Sequence, residues 1–289
     1  MEVLNWAHKD LQSKKIPKAR LDAEVLLGHA LGLERLQLYT NFDRPLTQSE
    51  RANFRNFIKQ RRDRVPVAYI LGNKEFYSRS FTVNSDVLIP RPESELIIEE
   101  VLAFYKNHTQ TEQTDFSIID VGTGSGCLAV TLALEIPNAE VTATDISEKA
   151  LDIARKNSVN LNGNVNFLCS YLLNKIGKET KFNCIVSNPP YIETKVIDTL
   201  SKDVQTEPKL ALDGGEDGLV LIRKLITQSI PKLKPMGLLI IEIGHDQGEK
   251  LLKLMSENKT LTNLKIIKDL SGHSRVATAI CSQNCSHNS

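Results

Sequence analysis

Aromatic residues are scarce in this chain of 289 residues, at 6% with a single tryptophan. That scarcity argues against a stacking platform for nucleic-acid bases, which are held on successive aromatic rings. Long apolar runs are missing too. None approaches the ~20 residues that a membrane-spanning helix needs, and the first residues lack the apolar core of a signal peptide. The expectation is a cytoplasmic protein with no membrane partner. The five cysteines, Cys127, Cys169, Cys184, Cys281 and Cys285, are scattered, which reads as reduced thiols rather than a disulfide framework. Cys281, Cys285 and His287 lie in a polar tail without a fourth partner, so no metal is expected. No internal repeat is visible. Net charge is also nearly absent at +1, although it is unevenly spread. Residues 1–70 hold 13 Lys and Arg against 8 Asp and Glu, a net +5, and the remainder holds 23 against 27, a net −4. The larger part is therefore not the broad cationic surface of a nonspecific nucleic-acid enzyme.

What is present is ordinary soluble composition, 41% hydrophobic and 25% charged, in a chain long enough for one large domain plus a smaller one. The first 65 residues read as helices. Val3, Leu4, Ala7 and Leu11 form one apolar stripe, Ala19 to Leu31 a second helix stopped by Gly32, and a third follows Pro45. Thr47 and Glu50 have capping-box spacing for that third helix, whose other side is basic: Arg51, Arg55, Lys59, Arg61, Arg62 and Arg64. Such a face is either solvated or a docking surface for an acidic partner. Residues 66–88 change to short strand-like pieces, Ala68 to Gly72, Glu75 to Tyr77 and Phe81 to Val83, read as a β-hairpin linker.

From residue 89 onward, helices and strands alternate. Strands are expected at Ser117–Val121, Glu140–Asp145, Val165–Leu168, Phe182–Val186, Gly237–Ile243, Leu264–Ile267 and Arg275–Cys281. Alternation of this kind predicts an α/β fold with a doubly wound, mostly parallel, seven-stranded sheet. Two closing strands without a helix between them predict an antiparallel strand at the C-terminal end. Strand Ser117–Val121 runs directly into Gly122-Thr123-Gly124-Ser125-Gly126 and then an apolar helix from Cys127. Glycines there permit a tight turn and bring backbone N–H groups close to a ligand. The next strand ends in Asp145, 19 positions after Gly126, where an acid accepts hydrogen bonds from a ribose diol. Taken in order, these pieces point to a nucleoside-bearing cofactor.

The apolar run Phe182–Val186 ends in Ser187-Asn188-Pro189-Pro190-Tyr191. Two prolines stop the strand and make a stiff loop where open α/β sheets bind ligands. The Asn188 side-chain oxygen and the Pro189 carbonyl are acceptors without a competing proline N–H, suited to a planar NH2. Tyr191 adds a ring face. Arg91, fixed between Pro90 and Pro92, is equally readable as structural or as an anion-binding group.

These pieces resemble the class I S-adenosylmethionine-dependent methyltransferases, with a Rossmann-like domain, and in particular the release-factor glutamine methyltransferases (the HemK/PrmC family). Pro90-Arg91-Pro92-Glu93-Ser94-Glu95 is similar to that family's P-R-P-E-T-E, with serine for threonine. Glu207-Pro208-Lys209-Leu210-Ala211-Leu212 with Gly214-Gly215, and Asp269-Leu270-Ser271-Gly272 with Arg275-Val276, also match. The resemblance implies methylation of the side-chain nitrogen of the glutamine in the Gly-Gly-Gln motif of peptide-chain release factors, a translation-termination function. It implies residues 1–65 as a helical substrate-docking domain and 89–289 as the methyltransferase domain of an enzyme expected to act as a monomer. Gly122, Thr123, Gly124, Ser125, Gly126, Asp145 and Asn188 are the implied cofactor residues, and Asn188, Pro189, Pro190 and Tyr191 the catalytic and substrate-binding ones. After the third strand the family carries an acid near the adenine. Here that place reads Ser170-Tyr171-Leu172, with no carboxylate.

Two rivals stand beside this reading. Adenine and guanine also present a planar NH2, so a DNA or ribosomal-RNA exocyclic-amine methyltransferase fits the same loop. A non-enzymatic cofactor-binding protein would not need the Asn188 loop intact.

Overall fold

The computed structural model describes residues 2–41, 43–108 and 116–282. Its backbone divides into two compact units, Met1–Asn73 with Ser201–Thr206, and Lys74–Leu200 with Glu207–Ser289.

The first unit is helical. It contains α1 (Glu2–Ser13), α2 (Ala19–Leu31), α3 (Arg35–Thr40), α4 (Gln48–Arg62) and α5 (Val67–Leu71). Leu4, Leu11, Leu26, Phe54 and Ile58 from the apolar stripes meet in its core. Gly32 closes α2 at φ 63°, a left-handed position that suits glycine. The capping box of α4 forms as spaced: Glu50 N–H donates to Thr47 Oγ1 at 3.3 Å, and Thr47 N–H to Glu50 Oε2 at 2.8 Å. Arg61 departs from the expected basic face. It is buried, donating from Nε to Asp22 at 2.7 Å and from Nη2 to Asp203 at 2.5 Å, while Arg51, Arg55, Lys59 and Arg62 stay exposed. Two elements differ from the sequence reading. Helix α3 was not anticipated. Val67–Leu71, read as strand-like, is a short helix that starts behind Pro66 and stops at Gly72, φ 73°. Five apolar residues are too few for periodicity to separate helix from strand.

In the second unit, strands β1 (Asn73–Phe76) and β2 (Arg79–Thr82) form the expected hairpin. Its two-residue turn, Tyr77-Ser78, has both φ values positive at 48° and 58°, the twist of a type I′ turn. Phe76 and Phe81 sink into the core beneath the main sheet.

That sheet comprises β3 (Phe116–Val121), β4 (Ala139–Asp145), β5 (Val165–Cys169), β6 (Phe182–Ser187), β7 (Leu233–Glu242), β8 (Leu261–Lys268) and β9 (Ser274–Cys281). Their order is β5-β4-β3-β6-β7-β9-β8, parallel except for β9, which runs antiparallel to both neighbours. The doubly wound, seven-stranded sheet is as the sequence alternation predicts. Side chains alternate between two covered faces, which is why the central strands β3 and β6 are buried throughout. Ile119 and Ile185 face one layer, with α9 (Val220–Ser229) and α10 (Gly248–Ser256), whereas Ile118, Cys184 and Val186 face the other, with α6 (Glu95–His108) and α7 (Cys127–Glu135). Helix α8 (Glu148–Leu161) follows β4, and Ser147 caps it by accepting the Ala150 N–H at 3.2 Å. The strand order reverses between β3 and β6. A crevice opens there at the carboxyl ends of the strands, as it does in open α/β sheets generally.

Cys127, Cys169 and Cys184 are free, in line with the reduced-thiol expectation, but Cys281 is disulfide-bonded, which departs from it. Cys285 and His287 lie outside the described residues. Among those described, no group of three or more His, Cys, Asp or Glu side chains could hold a metal, and no helix is long and apolar enough to cross a membrane.

Candidate active site

The glycine loop between β3 and α7 forms one wall of the crevice. Gly122 and Gly124 have φ of 77° and 54°, and a Cβ on either would meet nothing within 4 Å. The side of the loop they leave bare is open to a ligand. Gly126 has a different reason to be glycine. At φ 80°, its added Cβ would stand 3.0 Å from the Ala154 Cβ on α8, so it serves helix packing. The Gly122 and Thr123 N–H groups donate to the Thr144 carbonyl at 2.8 and 2.9 Å, bending the loop over the end of β4.

Asp145 ends β4 as expected, and it is braced. Oδ2 accepts the Gly124 N–H and Oδ1 the Ser147 N–H, both at 2.9 Å. Burial raises its pKa and these N–H bonds oppose the rise. A carboxylate oxygen accepts more than one hydrogen bond, so each retains capacity for a hydroxyl. Asp120, at the end of β3, is fully buried and accepts from the Thr123 hydroxyl at 2.7 Å. Burial pushes its pKa up to about 7. Cys127 is held as a thiol, its pKa pushed up by burial to about 12, so it is no nucleophile. Tyr171, Leu172 and the half-exposed Ile146 line the same crevice, offering apolar surface where the resemblance led one to expect an acid.

Across from the glycine loop stands Asn188, just past β6. Ser187 ties the ends of the two central strands together, donating to the Val121 carbonyl at 2.6 Å. Asn188 Nδ2 donates to Ser94 Oγ at 3.0 Å, and Ser94 Oγ donates to Glu242 Oε2 at 2.5 Å. Glu242 closes β7 and is 2% exposed. Burial raises its carboxyl pKa to about 7; Glu93 adds to the rise, while Ser94, Arg275 and Tyr191 oppose it. The following segment clamps the loop from outside. Gly214 N–H donates to the Ile192 carbonyl at 2.8 Å, Ile192 N–H to the Leu212 carbonyl at 3.0 Å, and Gln247 Nε2 to the Tyr191 carbonyl at 2.9 Å. Glu207 anchors the Pro90–Glu95 stretch, accepting the Ile89 N–H at 3.1 Å and Arg91 Nη2 at 2.5 Å. Arg91 is thereby structural.

Of the sequence-predicted residues, Gly122, Thr123, Gly124, Ser125, Asp145 and Asn188 line one crevice of about 460 Å³, as does Pro190. Gly126, Pro189 and Tyr191 do not line it. Pro189 is buried, and Tyr191 packs against the core with its hydroxyl 3.4 Å from Glu242 Oε1. Sequence reasoning missed Glu242, Gln247 and the partnership of Glu207 with Arg91. Glu242 did carry a signal, since an acid closing the apolar run Leu238–Ile241 repeats the pattern that drew attention to Asp145.

Known proteins share this chain's sequence and fold. A model described as the methyltransferase small domain matches residues 103–234, and one described as the PrmC N-terminal domain matches residues 2–72. The fold is shared with a methyltransferase from Pyrococcus furiosus, at 21% identity and TM-score 0.52 over 77% of this chain and 98% of that one. The class is thus a methyltransferase with a Rossmann-like sheet. Within it, a release factor glutamine methyltransferase from Rhodopirellula baltica is 38% identical, covering 96% of this chain and 94% of its own. Another from Koribacter versatilis is 41% identical, with 95% and 96% covered. The chain belongs to the release factor glutamine methyltransferase family.

Proposed function

We propose that this chain methylates the side-chain amide nitrogen (N5) of the glutamine in the Gly-Gly-Gln motif of peptide-chain release factors, with S-adenosylmethionine as methyl donor. The observation that carries this reading is the Asn188 amide, held in the crevice by its nitrogen with its oxygen left to accept. The Gly122–Gly126 loop and Asp145 would hold the cofactor: the loop has a bare open side and the carboxylate has spare lone pairs. Bound there, S-adenosylmethionine supplies an electrophilic methyl group on a sulfonium.

A carboxamide nitrogen is a poor nucleophile because its lone pair is delocalised into the carbonyl. Asn188 Oδ1 accepts an N–H of the substrate amide, orienting the nitrogen and raising its electron density as it pyramidalises. Reaction demands placement to within about 3–3.5 Å, which is the value of a proline-stiffened loop clamped by Gly214 and Gln247. Pro190 shields the amide plane from water. No base is required before attack, because the product nitrogen is acidic and loses its proton to solvent.

Residues 1–65 dock the release factor, with the exposed Arg51, Arg55, Lys59 and Arg62 of α4 as a cationic surface for it. The enzyme works as a monomer in the cytoplasm on protein rather than nucleic acid, in keeping with the net −4 of residues 71–289. The test is methyl transfer from labelled cofactor to a release factor or to nucleic acid. Transfer to the release factor alone is expected, and Asn188→Ala should lower kcat by about 10²–10³, the effect of losing one positioned polar group. An Asn188→Ala enzyme with wild-type kcat would refute the role of the loop.

A further inference from the structure

An asparagine amide has nearly the same shape either way round, yet only one orientation presents an acceptor to a substrate N–H. Something must choose. Asn188 Nδ2 lies 3.0 Å from Ser94 Oγ, and Ser94 Oγ lies 2.5 Å from Glu242 Oε2. Ser94 and Glu242 are both 2% exposed, so water does not substitute for these contacts. The hydroxyl owns a single hydrogen, and an ionised carboxylate only accepts. That hydrogen is therefore committed to Glu242, and Ser94 turns a lone pair toward Asn188. Only the NH2 of Asn188 is compatible with it, which leaves Oδ1 for the substrate.

We infer that Ser94 and Glu242 are positioning residues for methyl transfer, a relay in which the Glu242 charge fixes the Ser94 hydroxyl and Ser94 fixes the Asn188 amide as an acceptor. The inference rests on Asn188 accepting the glutamine N–H. Glu242 does not form an ion pair in this role. The nearby cation, Arg275, is 2.8 Å from Asp269 and 3.9 Å from Glu93. The other titratable groups bearing on Glu242 are the Glu93 carboxylate, whose charge adds to the rise of its pKa, the Tyr191 hydroxyl at 3.4 Å and the Cys127 thiol, which is uncharged. A protonated Glu242 donates to Ser94 instead of accepting. The Ser94 hydrogen is then free to point at Asn188, and the amide loses its preference. The raised pKa of Glu242, about 7, places that loss near neutrality, with the active form above it.

The experiment measures kcat and KM for methyl transfer to a release factor from about pH 5.5 to 8.5, using the full chain. Ser94→Ala should lower kcat about 10- to 100-fold, the effect of a misplaced reacting group, and leave cofactor affinity by calorimetry unchanged. Ser94→Thr, which keeps the hydroxyl, should restore kcat to within a few-fold. Wild-type kcat should fall on the acid side of about pH 7, and that limb should vanish in both Glu242→Gln and Ser94→Ala. Wild-type kcat in Ser94→Ala, or the same acid limb in Glu242→Gln, overturns the relay. Asn188→Ala separates the two ideas. If it is impaired while Ser94→Ala is not, only the relay falls, and if Asn188→Ala is fully active, both fall.

Discussion

Gly214 is where a single carbon tests how tightly the Asn188 loop must be held. Its backbone is pinned on both sides, with its N–H donating to the Ile192 carbonyl at 2.8 Å and its carbonyl accepting the Val220 N–H at 3.1 Å. It has no positive φ, so alanine introduces no backbone strain and only space is at issue. A Cβ there would stand 2.8 Å from the Pro190 carbonyl oxygen, 2.8 Å from the Tyr191 Cα and 2.7 Å from the Gly218 carbonyl oxygen. All three are backbone atoms, and ordinary contact begins at 3.4 Å. The Asn188 loop therefore has to retreat by about 0.6 Å. A misplacement of about 1 Å costs on the order of 10²-fold in rate, so Gly214→Ala should lower kcat roughly 10- to 100-fold. Overpacking costs about 1–3 kcal/mol, or about 3–10 °C in Tm for a unit of this size. Initial rates with a release factor and thermal melting measure the two effects separately. A variant with lowered Tm and wild-type kcat would show that the strain goes elsewhere and that the loop position is not critical.

Two further perturbations follow from the same wall of the crevice. Asp145→Ala removes both the proposed acceptor for ribose hydroxyls and the brace on the Gly124 and Ser147 N–H groups. Cofactor affinity by calorimetry should fall by at least about tenfold, the effect of losing a hydrogen bond to a charged group, and unchanged affinity rejects the assignment. Asp120 is raised from 3.8 to about 7 by burial, so the folded chain keeps this proton to higher pH than the unfolded chain does. Its stabilising contribution is complete below about pH 4 and is lost as pH rises toward 7, up to roughly 4 kcal/mol. The nearly isosteric Asp120→Asn should therefore flatten the pH dependence of the urea midpoint relative to wild type, and parallel curves would refute the shift.

How much of this was legible beforehand follows from the range over which each feature is specified. The strands were readable because both faces of the central sheet are buried, which forces apolar runs such as Cys184–Val186. The glycine loop, Asp145 and the Asn-Pro-Pro-Tyr loop were readable because each sits where a strand ends, a local event marked by Gly, Asp or Pro. Val67–Leu71 was misread because five residues carry no usable period. Arg61 was assigned to an exposed basic face because nothing local announces Asp22 and Asp203 as its partners, the latter 142 positions away.

By itself, then, the amino-acid sequence determined the alternation of strands and helices beyond residue 89, the place of the candidate ligand loops at the ends of strands, and the acceptor chemistry of Asn188. Tertiary structure alone decided which way that acceptor is turned. Ser94 and Glu242 are 148 positions apart, and Ser94 and Asn188 are 94 apart. Side-chain hydrogen bonds act over about 3 Å and leave no periodic trace along a chain. Only the folding of the Pro92–Ser94 segment before α6 and the ends of β6 and β7 around one buried point brings the carboxylate, the hydroxyl and the amide into line.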